Sequence, residues 1–411
     1  MSPHDESCTL QRWLSIVGIG EDGVDGLSAA ARLLIENAVL VVGGARHLKL
    51  AACLIRGCAM AWPSPMSGGF DEIARHAGAP VVVLASGDPF HYGVGKELVR
   101  HFTADCMLAL PQPSAFSLAA SRLGWPLQDA SLVTLHGRAL EGIIRYLQPG
   151  ARILALSWDG TTPTKIAALL RTRGFGRSRL TVLEALGGPR ERVRSVVAQE
   201  ADFSAIDSLN TIAVECVADA GAHVLALASG LDDTLFESDG QLTKREIRAL
   251  TLSSLAPRQS ECLWDIGLGA GSVAIEWLLC HPSLTAIGIE ENHDRAARAA
   301  RNAAALGTPD LKIVHGRAPE ALARLPPPHA IFIGGGFTDE GVFEAALRSL
   351  QPGGRLVANA VTLETEQRLL SAQAAFGGEL SRIQVSRASP VGTVTGWRPA
   401  MPVTHWRVVK P

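Results

Sequence analysis

Long apolar runs are missing from this chain of 411 residues: no uninterrupted stretch approaches the roughly 18 residues that a membrane-spanning helix requires. The start, MSPHDESCTLQRW, is polar and has no apolar segment of signal-peptide type, so a soluble, cytoplasmic protein with no membrane partner is expected. Excess charge is missing too. Lys and Arg (38) nearly balance Asp and Glu (40), and a net charge of −2 gives no general attraction for nucleic acid. Tyrosine occurs only twice, and the seven cysteines (8, 53, 58, 106, 216, 262, 280) are scattered. Cys53 and Cys58 form the closest pair, but no second pair completes a zinc site, and His281, His293 and His315 show no convergent spacing. Reduced thiols and no metal are the expectation.

What remains is a globular composition, 47% hydrophobic and 19% charged, too long for one ordinary core. Two domains of about 200 residues each are expected. In the first half, WLSIVGIG, VLVVGG, PVVVLASGDP, RILALSW, LTVLEALGG and NTIAVECV read as strands, and LSAAARLLIENA as a helix with Ser28 near its start. Strands alternating with helices predict an α/β architecture with a largely parallel sheet. Gly, Asp and Ser break the rhythm over 219–240, which places the boundary between a domain 1–220 and a domain 221–411. The pattern restarts with the amphipathic LTKREIRALTLSSL. It continues through the strands CLWDIG, LTAIGIE, LKIVHG, HAIFIGGG and GRLVANA, with PVTHWRVV as a late edge strand. This predicts a doubly wound sheet with its ligand crevice at the strand carboxyl ends.

The stretch LWDIGLGAGSVAIEW carries the most chemistry. A strand ends in Asp265, a loop runs through Gly267, Gly269 and Gly271, a helix opens, and the next strand ends in Glu290. A carboxylate at that place accepts hydrogen bonds from ribose hydroxyls, so an adenosine-containing ligand is implied. Packing glycines and a nicotinamide site are the competing readings. A dinucleotide fold wants Gly-x-Gly-x-x-Gly with a pyrophosphate at the helix N-terminus. Here an acid sits beside the loop, and like charge disfavours phosphate while favouring the ammonium and sulfonium of S-adenosylmethionine. At a few ångströms that sign difference is worth on the order of several kcal/mol before desolvation. Further on, Ala318 in VHGRAPEAL is placed to edge the adenine, beside a turn with Pro319 early in a helix.

SIVGIGEDG holds Gly18, Gly20 and Gly23 in the literal dinucleotide spacing, but VDGLS separates them from the helix and the next strand ends in Gly43-Gly44 without an acid. More informative is LASGDPFHYG, where Asp88 and Pro89 turn the chain directly after a buried strand. Taken with VGIGEDG, PSAFSLAASRLGW and LEALGGPRERV, it resembles the tetrapyrrole (corrin and porphyrin) methylase family, and TLHGR at 134–138 looks like the branch that methylates precorrins late in cobalamin synthesis. The second half is similar to that branch's decarboxylating partner, with TKREIRALTLSSL, DIGLGAGSVAIEW, GRAPEAL, IFIGGG and LQPGGRLVANAVTLET in order.

The resemblance covers nearly the whole chain. It implies a two-lobed tetrapyrrole methylase fold followed by a Rossmann-like doubly wound methyltransferase domain, with S-adenosylmethionine at two sites. It also implies precorrin-6B as substrate, methylated at C-5 by the first half and at C-15 by the second, which decarboxylates the ring C acetate to give precorrin-8. Relatives of the two halves pair as dimers and tetramers, so a homo-oligomer is expected. Cofactor contacts carry over to Thr243, Asp265, Gly267, Gly269, Gly271, Glu290 and Ala318 in the second half, and to Asp88, Tyr92, Gly93, Ala115 and Phe116 in the first. The first loop, with Gly18 and Gly20, would line the substrate trough, with His136 as a further contact. Arg245 and Arg248, three apart on one helix face, and Arg317 are candidates for holding substrate carboxylates, or for simply solvating a surface. The relatives often have Gly-Asp-Ala where this chain has Gly316-Arg317-Ala318, and a Pro-Gly turn where it has QPSAF. No catalytic residue is assigned, because meso carbons of a reduced macrocycle are already nucleophilic and the donor carries an activated methyl. Two other functions stay open: methylation of RNA or protein, and a cofactor-binding sensor without turnover.

Overall fold

A computed structural model describes residues 12–411, so the polar start and Cys8 lie outside the described residues. The chain forms two compact units, one comprising the described residues up to Arg138 with Gln148–His223, the other Ala139–Leu147 with Val224–Pro411.

The first unit has two sheets. Strands β1 (Leu14–Ile19), β2 (Leu40–Gly43), β3 (Cys58–Ala61), β4 (Val81–Ser86) and β5 (Met107–Leu110) pair in the order β3-β2-β4-β1-β5, all parallel. Burial on both faces explains the unbroken apolar runs of β1, β2 and β4. Ser28 caps the helix Ala29–Asn37, its hydroxyl accepting from the Ala31 amide at 3.2 Å.

Strands β6 (Ala130–Thr134), β7 (Arg152–Leu156), β8 (Arg179–Glu184), β9 (Arg192–Val197) and β10 (Asn210–Glu215) form the second sheet, in the order β6-β7-β10-β8-β9. Only β6 and β7 are parallel; the other pairs are antiparallel. The expectation of a largely parallel sheet fails here for a physical reason. No helix separates β8 from β9, and so short a connection cannot make the crossover that parallel pairing needs.

In the second unit, β11 (Cys262–Ile266), β12 (Thr285–Glu290), β13 (Lys312–His315), β14 (Ala330–Ile333), β15 (Arg355–Ala360), β16 (Glu379–Ile383) and, after the hairpin β17 (Ser386–Val391) and β18 (Val394–Pro399), β19 (Val403–Val409) complete the chain. Their order is β13-β12-β11-β14-β15-β19-β16, with β19 antiparallel to both neighbours. The doubly wound reading therefore describes this unit, but PVTHWRVV is an interior strand and the edge belongs to β16. Trp264, Ile331, Leu356 and Trp406 anchor the core beneath the sheet.

The short segment Ala139–Leu147 joins the second unit because Arg145 donates to the carbonyls of Leu278 (2.9 Å) and Leu279 (3.1 Å), the last turn of the helix Ser272–Cys280. An arginine there meets orphan carbonyls and the negative end of the helix dipole. The single cut between 220 and 221 expected from composition misses this excursion. Among the described residues no helix is long and apolar enough to cross a membrane, and no group of His, Cys, Asp and Glu could hold a metal ion.

Candidate functional site

The second unit opens a cleft of about 800 Å³ at the carboxyl ends of its parallel strands. The loop after β11 needs its glycines. Gly267 has φ +75°, and a side chain there would meet the Gly335 amide at 2.7 Å, so the glycine runs after β11 and β14 are two halves of one close approach. Gly269 and Gly271 also lie at positive φ, and Gly271 caps the helix Ser272–Cys280.

Glu290, buried at the end of β12, accepts from the Gly269 amide at 2.8 Å with one oxygen and from the Asn292 amide at 3.0 Å with the other. It thus ties the glycine loop to the next strand. Each oxygen keeps a further lone pair for a ribose hydroxyl.

Asp265 is placed differently from its expected position at the loop's mouth. It lies beneath the loop, 1% exposed, with Oδ2 accepting from the Ala274 amide at 3.1 Å and Oδ1 buried without a partner. Burial pushes its carboxyl well above the usual carboxylate range, the Ala274 bond opposes this, and the Glu290 charge adds to it. An open negative charge repelling phosphate is therefore not what this residue supplies. Instead it accepts, from beneath the loop, one of the amides of the helix's first turn. Asp265 is among the residues lining the cleft, and its buried Oδ1 is left without a hydrogen-bond partner.

Thr243, Ala318 and Arg317 line the same cleft. Pro319 precedes a short 3₁₀ turn, Glu320–Leu322, rather than opening an α-helix. Arg317 is exposed at the rim and donates to Asp339 at 3.0 Å.

Arg245 and Arg248 do not behave as substrate anchors. Arg245 is exposed and lies outside the cleft lining. Arg248 is fully buried: its Nε donates to Glu276 at 2.5 Å, its Nη1 to Asp233 at 3.2 Å, further bonds reach the carbonyls of Thr243 and Leu231, and Phe236 lies 4.7 Å from its guanidinium carbon. Helical spacing alone could not tell which of the two points inward. Arg387 lines the cleft beside its partner Glu246 and was not anticipated; it sits on β17, in a hairpin whose sequence carries no strong pattern.

In the first unit the predicted residues gather around the loop after β4. Asp88 Oδ1 accepts from the Phe90 amide at 2.9 Å, closing the turn. Tyr92, at φ +59°, donates to the Leu132 carbonyl at 3.1 Å, and its ring lies 5.8 Å from that of Phe116. His91 lies 4.9 Å from the same ring. Phe116 is buried in the core beside Trp125 and Leu154, so it backs the turn rather than offering an open face. Ala115 begins the helix Ala115–Leu123, which Ser114 caps, and Gly93 packs against the Pro89 backbone.

Gly18 is buried, and a side chain there would strike the Gly87 carbonyl at 1.9 Å and the Gln112 amide at 2.7 Å. It is a packing glycine, not a surface that a substrate touches. Gly20 is half-buried against Asp22 in the same loop, and His136 stands exposed on the turn after β6.

A polar cluster in this unit went unread. Glu21 pairs with Arg46 and Arg190, and Arg46 Nη2 donates to Ser86 Oγ at 2.8 Å and meets His47 Nε2 at 2.9 Å. An arginine only donates, so Nε2 accepts and the proton sits on Nδ1. Burial and the Arg46 charge lower the His47 pKa to about 4. The sequence signal is the basic pair Arg46-His47, one residue behind Gly43-Gly44.

Comparison with known proteins identifies the family. Residues 14–202 match the family described as tetrapyrrole (corrin/porphyrin) methylases, and residues 234–410 match the precorrin methyltransferase domain. A precorrin-6Y C(5,15)-methyltransferase (decarboxylating) of Sinorhizobium is 55% identical over 99% of this chain and 98% of its own. The Mycobacterium tuberculosis protein of the same name is 40% identical over 96% of this chain and 99% of its own. The crystal structure of the C-terminal domain of precorrin-6Y C5,15-methyltransferase from Rhodobacter capsulatus is 43% identical, with a TM-score of 0.43, covering 45% of this chain and 100% of that one. With such identity along its whole length, the chain belongs to the decarboxylating precorrin-6Y C(5,15)-methyltransferases, methyl-transferring enzymes of cobalamin biosynthesis whose family implies S-adenosylmethionine as donor.

Proposed function

We propose that the two units are separate methyl-transfer sites, each holding its own S-adenosylmethionine. In this reading precorrin-6B is methylated at C-5 by the first and at C-15 by the second. The second also removes the ring C acetate carboxyl as carbon dioxide, giving precorrin-8. The protein works in the cytoplasm as a homo-oligomer.

The observation that carries the reading is the pair of acids at the second unit's cleft. Glu290 stitches the glycine loop while keeping lone pairs open, and Asp265 keeps one buried oxygen unpartnered. Together they suit a ligand with ribose hydroxyls and a cationic donor group, and no phosphate. When bound, S-adenosylmethionine supplies an activated methyl group.

The chain's own part is to hold and orient. Ala318 edges the adenine and Thr243 closes the mouth, while Leu242, Phe332, Val342 and Val403 wall the cleft with apolar surface that excludes water. Arg317 and Arg387 meet the macrocycle's carboxylates at the rim. In the first unit, Asp88, Tyr92, Gly93 and Ala115 shape the corresponding turn. No side chain is asked to act as a base for methyl transfer.

Stoichiometry tests the proposal: two S-adenosylhomocysteine and one carbon dioxide per macrocycle are expected, with two binding sites by calorimetry. Glu290→Ala should abolish carbon dioxide release and one methylation, and spare the other. Loss of both methylations, or a single binding site in the parent, would refute the two-site reading.

A further inference from the structure

Resting on that reading, we infer that Asn359, within LVANAV, is the neutral hydrogen-bond donor that positions the macrocycle in the second unit's cleft, held in place by Thr251 and by a Ser254–His405 pair. Strand register locates it. Ala358 pairs with Ile333, Ile333 with Ile266, and Ile266 with Ile289. The next residue on each strand therefore lies in one row across the carboxyl ends: Glu290, Gly267, Gly334 and Asn359. Adjacent strands lie about 4.8 Å apart, so Asn359 stands roughly 10 Å beyond the loop's first glycine, on the side away from Glu290. A cofactor with its ribose on Glu290 fills the β12–β11 end of the cleft, and the methyl acceptor is left the β14–β15 end, where Asn359 is part of the lining.

The amide is fixed from behind. Asn359 Nδ2 donates to Thr251 Oγ1 at 2.9 Å, and its Oδ1 meets His405 Nδ1 at 2.7 Å. His405 Nε2 meets Ser254 Oγ at 2.8 Å. Thr251 and His405 are buried, whereas Asn359 is half-exposed. Burial, with the Arg407 charge, lowers the His405 pKa, so the ring is a neutral link between a hydroxyl and the amide. Either orientation of the amide uses one N–H and one oxygen lone pair on this network, which leaves one N–H for the cleft.

The macrocycle's peripheral acceptors are acetate and propionate carboxylates, and one of them must leave as carbon dioxide. An arginine at this place would orient such a carboxylate but also stabilise its charge. A neutral amide orients it and leaves the charge uncompensated. When the C–C bond breaks, its electron pair passes into the conjugated ring and is later captured by a proton from solvent. Asn359 exchanges neither atom nor proton; it is a binding residue, and His405 and Thr251 are positioning residues behind it.

The test uses the full chain. Asn359→Asp keeps the shape but sets a carboxylate against the substrate's own. Expected results are a KM for carbon dioxide release raised at least tenfold, unchanged S-adenosylhomocysteine affinity at both sites, and unchanged C-5 methylation. His405→Leu should raise KM several-fold, and His405→Gln, which still donates and accepts, should recover most of it. If Asn359→Asp fails to fold, judged by loss of S-adenosylhomocysteine binding at the second site alone, Thr251→Val decides by the same KM reading. Parent-like KM in Asn359→Asp, or equal failure of His405→Leu and His405→Gln, would overturn the assignment. A parent chain that neither binds the macrocycle nor releases carbon dioxide would instead overturn the functional reading, and this inference with it.

Discussion

Replacing Arg248 by alanine separates two accounts of this residue. If it anchored a substrate carboxylate, the change would raise KM and leave thermal stability alone. The structure requires the opposite. Arg248 is fully buried and Glu276 is 2% exposed, and the guanidinium also serves Asp233 and the carbonyls of Thr243 and Leu231. Removing one partner of a buried pair leaves an uncompensated charge and costs about 3–5 kcal/mol. For a unit near 200 residues, each kcal/mol shifts Tm by about 2–4 °C, so the second unit's transition should fall by roughly 6–20 °C. The double variant Arg248→Met with Glu276→Leu should recover only part of the loss. Glu276 accepts from the amides of Gly230 at 2.6 Å and Leu231 at 2.9 Å, and stranding these costs about 1–3 kcal/mol each. Calorimetric melting with saturating S-adenosylhomocysteine, beside steady-state kinetics, reads both effects. An Arg248→Ala chain with parent Tm and a raised KM would refute the structural account.

Asp265 carries a pH signature. Its carboxyl pKa is raised in the fold, so without ligand the second unit's stability is fullest below the ordinary 3.8 and falls as pH rises toward the raised value. A cationic ligand favours the ionised form, so binding should release a proton, seen as buffer-dependent heat, and Asp265→Asn should remove that dependence. His47 has the opposite sign for stability. Its pKa falls from 6.5 to about 4, so the first unit should lose stability as pH drops through that window, by at most about 3 kcal/mol; urea melts at pH 7 and 4.5 check this, and His47→Gln should flatten the difference. Gly18→Ala should destabilise the first unit by several kcal/mol and abolish C-5 methylation alone, because both atoms it would strike are backbone. Normal melting of that variant would show the loop to be more yielding than the packing requires.

Much of this architecture is readable from residue order. Strands β1, β4, β11 and β12 are largely apolar runs, Gly87 and Gly267 directly follow β4 and β11, and β12 ends in Glu290, as the motifs place them. What escaped was lateral information. Val403, Thr404, His405, Trp406 and Val408 are all buried, and a strand buried on both faces belongs inside a sheet, so PVTHWRVV itself argues against an edge position. The same holds for Arg248. In SVAIEWLL a single carboxylate, Glu276, sits in a helix that is otherwise apolar all round, and a buried carboxylate demands a buried cation. That demand selects Arg248 as its partner only once the chain's path is known, because spacing treats Arg245 and Arg248 alike.

Asp265 shows most plainly how the fold changes the physical basis of an expectation drawn from sequence. From sequence, an acid beside a glycine loop reads as an exposed negative group that repels phosphate and attracts a sulfonium. In the fold burial raises its carboxyl pKa well above the usual range, which disfavours the charged form. Exclusion of phosphate would then rest on Oδ2, which already accepts from the Ala274 amide in the first turn of the helix. The two mechanisms differ in salt dependence. Repulsion by an exposed charge is screened within about 8 Å at physiological ionic strength, whereas an occupied amide is indifferent to salt. If high salt left the cleft still closed to a dinucleotide while it continued to take S-adenosylhomocysteine, occupancy rather than charge would be the source of selectivity, as the buried hydrogen bond requires.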